Sequence, residues 1–334
     1  MKVLSMFDGI ACGYLALSRA GIQPEKYYAS EIDKYAIQVA QKNFPDIIQI
    51  GDACKINYAQ YAGEIDMIIG GSPCQDLSIA KQNREGLHGE RSRLFWEFIR
   101  ALSIVKPKYF LLENVASMKD EDRDAITAVL RGLYPDTVCT LINSALVSAQ
   151  QRKRYYWTNW QVEQPKDKGV FLCDILDKEY NDRFLLTEKN LAHVNRPYGS
   201  KAQNITGKPK CPTLCAAMGM GGGNVPYMFE PVRLGQLEGL GTGQANRVYS
   251  VKGKSVCLNA NGGGGGAKTG LYHIDLPDGQ YVVRKLTPLE CERLQTLPDE
   301  YTAGISNAQR YKAIGNGWTV DVLAHIFKQI PEGV

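Results

Sequence analysis

The chain has no uncharged stretch suited to crossing a membrane. Its longest, Cys211–Phe229, holds two prolines and four glycines, whereas a spanning helix needs about 20 mostly apolar residues. An apolar run follows Lys2, but Asp8 and Gly9 interrupt it early, so no secretory leader is expected. Excess charge of either sign is scarce: 39 basic and 35 acidic side chains leave +4, too little by itself to imply a polyanionic partner. Paired cysteine spacing is lacking too. Nine cysteines are scattered from Cys12 to Cys291, which reads as reduced intracellular thiols and not as a disulfide framework.

What remains is the balance of a soluble globular protein, 44% apolar and 22% charged over 334 residues, long enough for roughly two domains. The charge is unevenly placed. Residues 185–283 carry 10 basic against 5 acidic side chains and 18 of the 33 glycines, while the segments on either side are close to neutral. The positive excess of the chain therefore lies in one Gly-rich segment.

The first half alternates β-rich runs with helical patterns. Lys2–Phe7, Lys26–Ile32, Ile47–Ile50, Asp66–Gly70, Lys108–Val115 and Thr137–Val147 read as strands, and Gly13–Ala20, Asp33–Phe44, Arg93–Val105 and Arg123–Leu133 as helices. Such alternation implies an α/β fold with a doubly wound, mostly parallel sheet, whose ligands sit beyond the carboxyl ends of the strands. After about Leu185 the helical period is lost. Gly219–Asn224 and Asn261–Gly270 resemble linkers, but strand patterns at Val225–Phe229, Arg247–Val251, Leu271–Ile274 and Tyr281–Val283 surround them, favouring a small irregular second domain. Helices return at Pro288–Gln295 and Thr319–Gln329.

Chemistry-bearing residues collect at the strand ends. The first strand runs into Phe7-Asp-Gly-Ile-Ala-Cys-Gly13, the second ends at Glu31-Ile32-Asp33, and the third at Gly51-Asp52-Ala53. A glycine turn followed by two successive strand-end acids suits a nucleoside, with a carboxylate on the ribose hydroxyls. Asp33 also fits a helix N-cap. The phosphate-binding pattern G-x-G-x-x-G is absent, since Ala11 and Cys12 follow Gly9, which favours a cofactor without pyrophosphate. The fourth strand ends in Gly70-Gly-Ser-Pro-Cys74, where a thiolate can be stabilised by backbone donors. The fifth ends in Glu113-Asn-Val115, and Gln150-Gln-Arg-Lys-Arg154 follows the sixth.

In this order, with Arg284–Asp299 and Ile314-Gly-Asn-Gly-Trp318, these motifs resemble the DNA cytosine-5 methyltransferase family nearly from end to end. Ser72–Ser78 and Arg154–Trp157 are most similar to the de novo class of eukaryotic enzymes and its bacterial and phage relatives. The resemblance implies a Rossmann-like methyltransferase domain over residues 1–184, a target-recognition domain over 185–283 and a C-terminal return over 284–334. It implies S-adenosylmethionine as methyl donor, S-adenosylhomocysteine as product, and double-stranded DNA as partner. A restriction endonuclease of the same system is a further partner it admits; no membrane is involved, and the expected location is the cytoplasm of a bacterial or phage-infected cell.

The implied roles follow residue by residue. Cys74 adds to carbon 6 of cytosine, because carbon 5 alone is a poor nucleophile. Glu113 holds a proton toward ring nitrogen 3, and Arg152 and Arg154 contact the base oxygen and Glu113 or the loop. The base is flipped from the duplex at a cost of a few kcal/mol, and Gln75–Arg91 closes over it. Phe7, Gly9, Ile10, Glu31, Ile32, Asp52, Ala53, Pro73, Asn316 and Trp318 form the cofactor site. In the family's first motif glycines stand where Ala11 and Cys12 are found here, and Gly317-Trp318 replace a small and a β-branched residue.

Lys208, Lys210, Arg247, Lys252, Lys254 and Lys268 are candidates for phosphate contact. Cys211-x-x-x-Cys215 with Cys257 and His273 makes too weak a ligand set for zinc, and no metal is expected. An RNA methyltransferase of the transfer-RNA type is the alternative, but its Cys-Phe-Thr tripeptide is absent. A non-catalytic DNA-binding regulator is disfavoured by the intact Cys74, Glu113, Arg152 and Arg154.

Overall fold

Strand β1 (Lys2–Met6) runs in the interior of a seven-stranded sheet. The computed structural model describes residues 1–72, 93–177, 233–236, 247–258, 271–275, 281–284 and 286–331. Pro73, Cys74, the loop Gln75–Arg91, Lys208, Lys210, Lys268, Cys211, Cys215 and the strand pattern Val225–Phe229 lie outside them.

On one side β1 pairs in parallel with β2 (Lys26–Ser30), which pairs with β3 (Ile48–Gln49). On the other it pairs in parallel with β4 (Met67–Gly71), and β4 with β5 (Tyr109–Val115). The order is completed by β7 (Lys153–Thr158) and then β6 (Val138–Asn143), with β7 antiparallel to both β5 and β6. The sheet is thus mostly parallel, as expected from strand–helix alternation. Strands buried on both faces read as continuous apolar runs, and alternate residues feed opposite layers: Met67 and Ile69 join one core cluster, Ile68 the other. Helices α1 (Cys12–Arg19) and α2 (Lys34–Asn43) cover the first face, α3 (Arg93–Val105) and α4 (Asp120–Leu133) the second.

Several boundaries differ from the sequence reading for identifiable reasons. Thr137–Val147 is not one strand. Asn143 ends β6 by accepting hydrogen bonds through Oδ1 from the N–H groups of Ala145 (3.1 Å) and Arg152 (3.0 Å), which forms a tight turn and starts the antiparallel return of β7. Helix α4 begins at Asp120, so its acidic residues lie inside the first turn, where the helix dipole favours them.

The chain closes on itself through α5 (Pro288–Leu294), α6 (Asn307–Asn316) and α7 (Val320–Phe327). Helix α5 carries a capping box in which Thr287 and Glu290 bond each other's backbone N–H. Glu290 also takes both Arg284 amino groups at 2.6 and 2.8 Å, fully buried. Helix α7 packs on α1, burying Val322, Leu323, Ile326 and Phe327 in the first core cluster. In the Gly-rich half, β8 (Arg233–Gln236), β9 (Arg247–Ser250), β10 (Leu271–Asp275) and β11 (Tyr281–Arg284) form a second sheet in the order β11-β10-β9-β8. Three of these strands lie where the alternation places them; β8 falls in a run too short and Gly-containing to register.

Candidate active site

The carboxyl ends of β1, β2, β3, β4 and β5 share one rim. The turn after β1 is built from left-handed backbone: Phe7, Gly9 and Ala11 have φ of 58°, 62° and 60°. That conformation suits glycine and strains Ala11 and Phe7. A side chain at Gly9 would meet nothing within 4 Å, so this turn borders open space. The Gly9 N–H donates to Glu31 Oε2 at 2.8 Å, and Glu31 Oε1 accepts from the N–H groups of Ile32 (2.7 Å) and Asp33 (2.8 Å). Three backbone donors therefore fix the Glu31 carboxylate at the end of β2. Beside it Ile32 is 75% exposed, an apolar face left uncovered.

Asp52 caps the turn after β3, its Oδ1 accepting from Cys54 N–H at 3.0 Å, and Ala53 is buried behind it. Asp33 caps α2 as expected, accepting from Tyr35 N–H at 2.9 Å. Ile10 takes its side chain into the core and gives its carbonyl to the Tyr301 hydroxyl at 2.7 Å. Asn316 is exposed at the end of α6 and Trp318 is buried just beyond it. Glycine turn, ribose-type acid, second acid and open apolar wall lie together, and these donors fit a nucleoside-bearing group without pyrophosphate.

Under this turn Asp8 is buried. Burial pushes its carboxyl up to about 7, against the opposing hydrogen bonds of Ser5 and Tyr27; the Tyr27 hydroxyl donates to Oδ1 at 2.7 Å. Burial likewise pushes the Cys12 thiol up to about 12, which makes it inert.

Glu113 ends β5 next to Gly71 of β4 in register. The antiparallel pairing of β5 with β7 brings Arg154 alongside, and its Nε lies 2.9 Å from Glu113 Oε1, with both side chains nearly buried. On the other oxygen, Oε2, the Trp318 indole N–H donates at 3.0 Å. The two arginines of the Gln-x-Arg-x-Arg motif diverge in what they touch. Arg152 does not share the Glu113 bond: its amino groups donate to the carbonyls of Leu258 (2.9 Å), Gly315 (3.2 Å) and Gly317 (3.0 Å). It clasps Leu258, within the Gly-rich segment, to the C-terminal return. Burial, then the charge of Arg154, hold its guanidinium below the usual arginine range.

Sequence reasoning passed over Cys257, counted only as a weak metal ligand. Its Sγ accepts from Arg152 Nη1 at 3.5 Å and Arg154 Nη2 at 3.9 Å. Burial opposes its ionisation, but the two guanidinium charges outweigh burial and lower its thiol below the ordinary range. No local pattern marks it, because the arginines lie about a hundred residues away in the chain. Lys254 is a correction. It is no surface cation: it is 1% exposed, and its ammonium donates to the carbonyls of Ala145 (3.0 Å), Ser148 (3.1 Å) and Val170. Lys252, two residues before it, is exposed, and Arg247 half-buried.

A family model described as C-5 cytosine-specific DNA methylase matches residues 1–332. Over 342 residues the chain is 29% identical to the type II methyltransferase M.HhaI of Haemophilus parahaemolyticus, covering 98% of this chain and 93% of that one. It is 27% identical over 431 residues to the orphan methyltransferase M.SPRI of Bacillus phage SPR, covering 99% and 97%. Among solved structures, the Entamoeba histolytica methyltransferase EhMeth superposes with a TM-score of 0.69 at 16% identity, covering 97% and 96% of the two chains. A Spodoptera frugiperda DNMT2 mutant does so at 0.64 and 18%, covering 97% of each. At these identities the structural likeness is one of fold. Among the described residues no helix is long and apolar enough to cross a membrane.

Proposed function

Because the chain belongs to the C-5 cytosine-specific DNA methylases, we propose that it methylates carbon 5 of a cytosine flipped out of double-stranded DNA. The observation that carries this reading is the Glu113 carboxylate, held by Arg154 on one oxygen and by Trp318 on the other at the mouth of β5. A carboxyl group fixed in this way can present a proton to ring nitrogen 3 and accept from the exocyclic amine, which draws electron density from carbon 6. Cys74 stands three positions after Gly71 in the sequence, and it is the nucleophile in this scheme: its sulfur bonds carbon 6, carbon 5 becomes nucleophilic and would take up the methyl group, and loss of the carbon 5 proton to a solvent base expels the thiolate. Arg154 contributes positive charge beside Glu113, and Arg152 holds the surrounding backbone.

Phe7, Gly9, Ile10, Glu31, Ile32, Asp52, Ala53, Pro73, Asn316 and Trp318 would hold S-adenosylmethionine. When bound there, that cofactor supplies an electrophilic methyl group. Glu31 would accept from its ribose hydroxyls, and the exposed Ile32 would supply apolar contact. Residues 185–283, with their basic excess, grip the duplex, and the reading places the protein on cytoplasmic DNA. The scheme admits a restriction endonuclease of the same system as partner, and equally an orphan role without one.

The test is transfer of labelled methyl from S-adenosylmethionine to duplex DNA and, in parallel, to transfer RNA. The wild type is expected to label DNA, and Cys74→Ser to lose at least about a thousandfold in rate. Label in RNA with none in DNA favours the RNA methyltransferase instead. Label in neither makes the chain a non-catalytic binder.

A further inference from the structure

Trp318 enters the site from the backbone that links α6 to α7, and that backbone is pinned on all sides. The Gly317 carbonyl accepts from Arg152 Nη2 at 3.0 Å and from Gln295 Nε2 at 3.1 Å. The Thr319 hydroxyl bonds Gln295 Oε1 at 2.7 Å and Ser144 Oγ at 2.9 Å. From this fixed base the indole N–H meets Glu113 Oε2 at 3.0 Å, and the ring is only 7% exposed.

Room for this bond depends on Gly71. A Cβ there would lie 2.8 Å from Glu113 Oε2 and 2.8 Å from Trp318 Nε1, closer than real Cβ atoms approach, so any side chain at Gly71 separates donor from acceptor. Gly13 borders the other edge of the indole, where a Cβ would come within 3.4 Å of Cζ3. The tryptophan, Gly71 at the end of β4 and Gly13 in the first turn of α1 thus form one matched set beside the carboxylate.

Resting on the methyltransferase reading of Glu113, we infer that Trp318 is a positioning residue for that carboxylate as well as part of the cofactor wall. Arg154 alone fixes one oxygen and leaves the carboxylate free to rotate about its last torsion. A second donor on Oε2 removes that freedom, so the remaining lone pairs present one orientation to an entering base. The indole is neutral and does this without adding a second full positive charge, which would oppose the protonation that base activation requires. A bond between a neutral donor and a charged acceptor in a buried site is strong enough to hold such a geometry.

The test uses the full-length enzyme, unmethylated phage or plasmid DNA, and labelled S-adenosylmethionine, with binding of S-adenosylhomocysteine measured separately to count folded sites. Trp318→Phe keeps the ring and removes the N–H. It is expected to bind S-adenosylhomocysteine within about twofold of wild type while kcat, per binding site, falls about tenfold or more. Gly71→Ala is expected to repeat that split, because its Cβ would press on both Glu113 Oε2 and the indole nitrogen and so part the same two atoms while leaving the indole itself in the chain. A Trp318→Phe enzyme with wild-type kcat overturns the proposal. So does one whose loss disappears at saturating cofactor, since that assigns Trp318 to cofactor binding alone. If Trp318→Phe fails to fold, Gly71→Ala decides by the same two readouts. A wild type that transfers no methyl to DNA or RNA overturns the underlying reading, and the proposal with it.

Discussion

Asp8 sits buried in the turn after β1, and its titration sets a testable condition on stability. Burial raises its carboxyl from 3.8 to about 7 in the folded chain. The folded state then binds a proton that the unfolded state releases above about pH 4, so this group favours folding below its unfolded value and loses that contribution as pH rises through about 7. Asp8→Asn keeps an acceptor for Tyr27 and cannot ionise. The melting temperature of the variant, relative to wild type, is therefore expected to rise between pH 4 and 7 and level off above; a difference independent of pH contradicts the assignment. Cys12 and Cys257 make the same point about environment. Burial alone raises the first thiol, whereas two guanidinium groups reverse that effect at the second.

At the scale of elements, the segment around β9 is anchored by Lys254 and presents Lys252. The buried ammonium of Lys254 satisfies three carbonyls of the 145–170 region. Lys254→Met leaves them unpaired and is expected to lower unfolding free energy by about 2–4 kcal/mol, measured by denaturant titration. Lys252→Gln is expected to leave stability within about 0.5 kcal/mol and to flatten the salt dependence of DNA binding by about one unit of slope. These two lysines are indistinguishable in the sequence, since nothing local separates a buried charge that meets carbonyls about a hundred residues earlier from an exposed one.

The same division governs the rest of the fold. Strands β1, β2, β4 and β5 were legible because both faces are buried and their apolar runs are unbroken. Strand β7 begins Lys-Arg-Tyr, and its identity comes from pairing between β5 and β6, not from its own pattern. Helix α6 escaped because it buries only Ile314 and Gly315 and so carries almost no apolar period. The strand-end acids were legible as types, but which oxygen each donor meets is fixed by register. Glu113 lies across from Tyr156, and Val115 from Arg154. The separate employment of Arg152 and Arg154 follows from that register.

At the scale of the whole molecule, the C-terminal return completes what the N-terminal half begins. Helix α7 fills the core beside α1, and Arg19 meets Asp321 at 2.7 Å. Removing residues 315–334 exposes that core and takes away Trp318 and two of the three carbonyls that receive Arg152, those of Gly315 and Gly317. The truncated chain is expected to lose its cooperative unfolding transition in calorimetry and its binding of S-adenosylhomocysteine together. Retention of either shows that the first 314 residues stand alone. The net charge of +4 acquires meaning at this scale, since the basic excess is confined to the segment spanned by the Arg152 clasp.

That clasp has a consequence for the order in which the protein comes into being. Arg152 leaves the ribosome long before Leu258, Gly315 and Gly317, the three residues whose carbonyls receive it. At about 5–20 residues per second, the interval between Arg152 and Gly317 lasts on the order of ten to thirty seconds. Throughout it Glu113 and Arg154 can pair, but the indole that completes the carboxylate's setting has not been made. A nascent chain therefore carries Glu113 and Arg154 without the third member of their arrangement, which forms only after Trp318 has been made.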